Sequence, residues 1–396
     1  MPYRILSLDG GGTWALIQVK ALMKIYGEGT TGRAILKEFD MVAANSGGSI
    51  VLAGLLEDLP LHQITDLFEN ENLRRSIFSP AHHFLDEILQ ALCHIGPKYS
   101  TENKLPAIEN ALPKSNKSLE EAAAGIRRPG ATEDIRLIVV AFDYDRNRAK
   151  YFRSSPAGSD RTGKAGADDV SVAEAVHAST NAPVNYFDDP ASFPGSHNQG
   201  RYWDGAITGN NNPLMSAVTE ALVIGKKADE LVALSIGTGS VALPFSPPGA
   251  QPSPLFQSLS KPGLMTDLNK LATSILDDPP NIATFIAHMV TGAGAGVPAP
   301  ADSRVVRMSP QISPRKDAGG NWQLPETMTI DQFTFLKDLD MDAVKNEEVA
   351  SIVNYTDLWL QDKAPNQPIR MDGDTLEPRV GKARFSEALA AWNSIK

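Results

Sequence analysis

The chain has 396 residues, 42% hydrophobic and 21% charged, with 37 basic against 47 acidic side chains and a net charge of −10. That composition supports a sizeable core and excludes a disordered chain, and the acidic balance argues against a nucleic-acid polymer as partner, because no uniform field attracts phosphates. A single cysteine, Cys93, excludes an intramolecular disulfide framework, and its setting in "ILQALCHIG" reads as the apolar face of a helix, hence a buried structural thiol.

The start, "MPYRILSLDGGG", holds too short an apolar stretch for a secretory leader and reads as a first strand, so a reduced, cytoplasmic setting is expected. That strand stops at Asp9 and three glycines. "TWALIQVKALMKIYGEG" then sets Leu16, Val19, Leu22, Met23 and Tyr26 on one helical face. "FDMVAA" reads as a second strand and "GSIVLAGLLEDL" as a second helix. This β-α-β-α rhythm predicts an α/β fold: a mostly parallel sheet covered on both faces, with function at the carboxyl ends of its strands.

Residues 61–110 read as mainly helical and 118–134 as an exposed excursion. "IRLIVVAFDYD" and "RAKYFRS" read as strand, turn and strand. "DDVSVAEAVHASTNAPVNYF" predicts a helix capped by Ser171, with Glu174 completing a capping box and Pro183 beyond its end. A helix follows "RYWDGAITGNNNP", and "ELVALSIGTGS" is another strand running into a glycine turn. Near Leu243 the composition turns Pro- and Ser-rich. Residues 1–242 are therefore expected to form the core of the fold, and 243–396 a loop-rich and helical extension packing on the same domain. Within it, "LMTDLNKLATSIL" and "IATFIAHMV" read as amphipathic or apolar helices, either a lid over residues 254–290 or plain core packing. No uncharged stretch is long enough for a transmembrane helix, so any membrane contact is expected to be peripheral.

Three stretches carry candidate chemistry. In "LDGGGT", Gly10, Gly11 and Gly12 lie between a strand and a helix, where several N–H groups converge and the helix dipole adds to them. Such a nest binds a phosphate or a developing oxyanion. In "ANSGG", Ser46 has the setting of a nucleophile elbow, with Ala44 in the first glycine slot; a helix cap in a Gly-rich turn is the alternative reading. In "YWDGAITGNNNP", Asp204 stands open as a general base, a metal ligand or a turn residue. None of the seven histidines sits in an obvious catalytic turn, although His197 and His288 stay in view as bases. No Cys/His cluster argues for structural zinc.

Taken in order, "DGGG", "NSGG" and "DGA" resemble the patatin-like phospholipase family, with its D-G-G-G-x-R-G loop, G-x-S-x-G elbow and D-G-[GA] motif. "AVHASTNAPVNYF" and "DGAITGNNNP" are similar to two further family segments, and the resemblance covers roughly residues 3–240. It implies a three-layer α/β/α fold and a lipid acyl hydrolase of the phospholipase A or lysophospholipase kind. It also implies a Ser46–Asp204 dyad without histidine, and an oxyanion hole from Gly10, Gly11, Gly12 and Gly47. No cofactor or metal is implied. The substrate is a lipid or other acyl ester, and some relatives answer to a small-molecule or protein activator. Trp14 and Ala15 replace the family's Arg-Gly, which makes Trp14, with Asn45 beside the serine, a candidate substrate contact.

Two rivals stand beside this reading. "LSLDGGGT" and "LSIGTGS" resemble the phosphate loops of actin-like sugar kinases and ATPases, in which the first loop joins antiparallel strands. A catalytically degenerate family member acting as a binding or regulatory protein is the other.

Overall fold

A seven-stranded sheet organises the computed structural model, which describes residues 1–80, 97–155, 170–184, 186–194, 198–247, 278–292 and 303–396, with scattered positions between 249 and 274. The strands are β1 (Tyr3–Leu8), β2 (Met41–Asn45), β3 (Arg136–Asp143), β4 (Arg148–Arg153), β5 (Tyr202–Asp204), β6 (Leu231–Ile236) and β7 (Val305–Met308). Their order is β4-β3-β2-β1-β6-β7, with β5 joining β3. β1 runs parallel to both β2 and β6, β2 parallel to β3 and β6 parallel to β7, while β4 and β5 run antiparallel to β3.

The central strands read as near-continuous apolar runs because both of their faces are buried. Alternate side chains serve opposite layers. Leu6, Leu8, Val42, Val139 and Leu234 pack with helices α1 (Leu16–Tyr26), α2 (Gly47–Leu56), α4 (Val172–Ser179), α7 (Asn346–Leu360) and α8 (Phe385–Ile395). Ile5, Ala43, Val140 and Ala233 pack with α5 (Leu214–Val223) and α6 (Pro279–Gly292). The short helix α3 (Lys104–Ala111) packs beside α4. This is the expected α/β/α architecture, with α8 burying Trp392 and α7 burying Trp359 on one face.

The capping box of Ser171 and Glu174 forms as read, with both bonds present. The segment 118–134 departs from its reading as an exposed excursion. A second capping box, Ser118 with Glu121, starts the helix Leu119–Ala123, and Leu119 and Ile126 are fully buried. β7 adds an edge strand beyond the stretch read as the core, and β5 is too short to show a period in the sequence. The actin-like reading fails on topology: β1 pairs with parallel neighbours and leads directly into helix, not into a hairpin. Cys93, His82, His83, His94, His197 and most of "LMTDLNKLATSIL" lie outside the described residues. Among the described residues no helix is long and apolar enough to cross a membrane.

Candidate active site

The register on β3 assembles the site. β2 ends at Asn45, opposite Val140; β5 arrives in the opposite sense and ends at Asp204, opposite Ala141, the next residue along. β4 occupies the other edge of β3 over both positions, so β2 and β5 meet head to head along a single edge. This joins two strand ends that lie 159 positions apart in sequence.

Ser46 sits at the turn between β2 and α2 with φ 47° and ψ −126°, a strained conformation for a residue bearing a side chain, costing on the order of 1–3 kcal/mol. Surrounding bonds hold it there. Its N–H donates to Ser179 Oγ at 2.8 Å, and its carbonyl accepts from the Ser49 N–H at 2.8 Å and the Ser49 hydroxyl at 2.6 Å. The Ser46 hydroxyl makes no helix-cap bond and lies close enough to the Asp204 carboxylate to favour its charged form. The two glycines that follow are required sterically. A Cβ at Gly47 would strike the Gly12 carbonyl, and one at Gly48 would lie 2.5 Å from the Leu8 carbonyl oxygen.

Asp204 Oδ1 accepts from the Ala206 N–H at 2.9 Å and from Asn45 Nδ2 at 3.1 Å. Its backbone N–H donates to the Asn181 carbonyl at 2.9 Å. Burial raises the carboxyl above its ordinary range, opposed by the Ser46 hydroxyl, by the hydrogen bonds from Ala206 and Asn45 and by the charge of Lys104. The result is a carboxylate with more appetite for a proton than an exposed one, close to a hydroxyl.

The glycine loop after β1 lies against the start of α2. Gly10 N–H donates to the Asn211 carbonyl at 2.8 Å and Thr13 N–H to the Met341 carbonyl at 3.0 Å. The Gly10 amide is therefore spent, which narrows the four donors expected from the sequence. The N–H groups of Gly11, Gly12 and Gly47 have no acceptor among the described residues. Gly12 has φ +56° and abuts the Met341 carbonyl, so no other residue fits.

Beneath the loop, Asp9 forms an ion pair with Arg307 of β7 at 2.7 Å. The guanidinium also donates to Ser235 Oγ at 2.9 Å and to Gln367 Oε1 at 3.1 and 3.3 Å. Burial pushes the Asp9 carboxyl up to about 6 against the pull of Arg307. Gln18 Nε2 donates to the Asp9 carbonyl at 2.8 Å. Asn212 of the "NNNP" turn ties the layer together, accepting from Ser7 Oγ at 3.0 Å and donating to Ser235 Oγ at 3.2 Å.

The two candidate substrate contacts spend their donors inside the protein. The buried Trp14 donates its indole N–H to the Asp340 carbonyl at 3.0 Å, and Asn45 gives its amide to Asp204. Of the described histidines, none bonds Ser46 or Asp204. His62 approaches the Glu28 carbonyl, His288 approaches Ser303, and His177 is buried with Nδ1 unpartnered. Among the described residues no group of three or more His, Cys, Asp or Glu is arranged to hold a metal.

Ser179, Asn181, Lys104, Arg307 and Gln367 all support the site, and the sequence reading assigned none of them. Ser179 and Asn181 lie in the "ASTNAP" stretch that carried part of the resemblance, so that signal was available. Arg307, Gln367 and Lys104 lie outside every motif, and only the fold brings them in.

A family model described as "Patatin-like phospholipase" matches residues 6–218. The chain is 25% identical over 243 residues to a cGAMP-activated phospholipase of Pseudomonas aeruginosa, an alignment that spans 60% of this chain and 63% of that protein. Among solved structures, VipD from Legionella pneumophila aligns at 11% identity with a TM-score of 0.34, over 90% of this chain and 67% of that one. The type III effector protein ExoU aligns at 12% identity with a TM-score of 0.25, over 90% and 53%.

Proposed function

Because the chain belongs to the patatin-like phospholipase family, we propose that it is a lipid acyl hydrolase in which Ser46 is the nucleophile and Asp204 its base. Ser46 Oγ attacks the ester carbonyl while Asp204 accepts its proton. The oxyanion of the tetrahedral intermediate is received by the free N–H groups of Gly11, Gly12 and Gly47. Collapse returns the proton from Asp204 to the leaving alkoxide and leaves an acyl-Ser46 ester. Water, deprotonated by Asp204, then hydrolyses it. The chemistry calls on no cofactor.

The observation that carries this reading is the strained Ser46 turn set beside the end of β5, where Asn45, its neighbour, bonds the buried Asp204 carboxylate, whose proton affinity is raised. Ser46 is only 5% exposed and Asp204 3%, so both lie below the surface. A site set that deep fits a hydrolase that a lipid surface or an activator opens, and the name of the Pseudomonas relative describes activation by cGAMP. We extend such control to this chain as part of the proposal.

The test is hydrolysis of a short-chain nitrophenyl ester and of phospholipid vesicles, with and without cGAMP, by wild type, S46A and D204A. The expected result is turnover in wild type and a loss on the order of 10⁴-fold or more in both variants. Activity persisting in both would overturn the dyad. Vesicle binding without hydrolysis in every arm would favour the non-catalytic reading.

A further inference from the structure

Lys104 opens α3, the wrong end of a helix for a cation, and its side chain is fully buried. Among the described residues no carboxylate forms an ion pair with it. Its Nζ donates to Asn181 Oδ1 at 2.6 Å and lies 4.0 Å from the centre of the Phe187 ring. A buried amine in that position costs free energy that a Leu or Met would not, so packing alone is a poor account of it.

Its acceptor is informative. Asn181 is the residue whose backbone carbonyl takes the Asp204 N–H at 2.9 Å, and its own Nδ2 is fixed on the Asp189 carbonyl at 2.7 Å. Lys104 thus grips the segment that holds the carboxylate. The charged and titratable groups that feel it are Asp204 and Asp188, which attract the ammonium, and the buried His177 on α4, whose protonation it opposes.

We propose that Lys104 is a positioning residue for Asp204: it fixes Asn181, which anchors the Asp204 backbone, and it supplies from one residue away the positive charge that favours the ionised carboxylate. The proposal rests on the reading of Asp204 as the base. Separation is the point of the design. Asp204 Oδ1 already accepts from Asn45 and Ala206. An ammonium bonded directly to the carboxylate would compete for the lone pairs that the Ser46 proton needs. Burial draws the Lys104 amine well below its ordinary value, against the pull of Asp204 and Asp188, so the ammonium is most fully present at the acid end of the profile, where the Asp204 limb is read.

The test is the pH profile of kcat/KM for the nitrophenyl ester in wild type, K104M and K104Q, the second variant keeping a donor for Asn181 without the charge. Removing the positive charge makes Asp204 hold its proton to higher pH. The acid limb should therefore move up, with activity at a pH on the wild-type limb falling about tenfold. KM should stay nearly constant, because Lys104 does not touch the substrate. A purely structural lysine would lower thermal stability and leave the limb in place, and that result in either folded variant overturns the proposal. Titrating the Asp204 carboxyl carbon by NMR in the same proteins reads the coupling without turnover. An unmoved midpoint counts against Lys104. A wild type that hydrolyses no ester counts instead against the proposed activity.

Discussion

Two buried aspartates, Asp9 and Asp204, end adjacent parts of one sheet and are treated in opposite ways. Asp9 is locked in a direct ion pair with Arg307, which also donates to Ser235 and Gln367. Asp204 has no ion pair among the described residues; amides bond it, a hydroxyl lies close, and the nearby cation is held on Asn181. Burial raises both carboxyls. The difference is what each is free to do. Asp9 has a cationic partner on β7 that anchors the start of the glycine loop. Asp204 keeps unmet proton affinity facing a serine. One arrangement builds a scaffold and the other leaves a carboxylate free for the proposed role of base.

That contrast is broken most severely at Arg307. R307M leaves Asp9 buried without its countercharge and should cost about 3–5 kcal/mol of stability, read as a lowered denaturation midpoint. A near-neutral result would mean that the ion pair does not hold the loop. Next in size is D204N. Because the folded carboxyl is raised above its unfolded value, native Asp204 binds its proton more readily than the unfolded chain does. Its contribution to stability is therefore greatest at low pH and is lost as pH rises through the folded value. A permanently neutral Asn should raise stability at neutral pH by on the order of 1 kcal/mol while abolishing turnover. For the same reason the wild-type acid limb of activity should lie above the ordinary carboxylate range; a limb near pH 4 would contradict the burial argument. Smallest is a control outside both aspartates. W14F removes the indole bond to the Asp340 carbonyl and should cost about 1 kcal/mol, with catalysis retained.

The proposed pair was legible in the sequence because each member sits in a local signal: a small-residue elbow around Ser46 and an Asp-Gly turn at Asp204. The parallel core was legible for a similar reason, since β1, β2 and β6 are apolar runs closed by glycine turns. What was missed depends on pairing over long distances. β5 has three residues and acquires meaning only through its register on β3. Arg307 reaches Asp9 because β7 joins the sheet after a long Pro-rich stretch, and Gln367, from a later segment, accepts from Arg307. Lys104 carries no periodic or motif signal, and a lysine in sequence looks like surface until the fold buries it. The resemblance implies Gly10 as an oxyanion donor, but a motif does not show the Asn211 carbonyl that takes its N–H. Trp14 looked like a substrate contact because its slot is known from the family, whereas its bond runs to the Asp340 carbonyl, far along the chain.

The central claim, that Ser46 is a nucleophile activated by Asp204, is tested most directly by fluorophosphonate labelling followed by peptide mapping, in wild type and D204N. The account predicts a covalent tag on Ser46 in wild type, formed faster with rising pH through the Asp204 titration, and no comparable tag in D204N. A tag on a different serine, or equal labelling of Ser46 in both proteins, would contradict it.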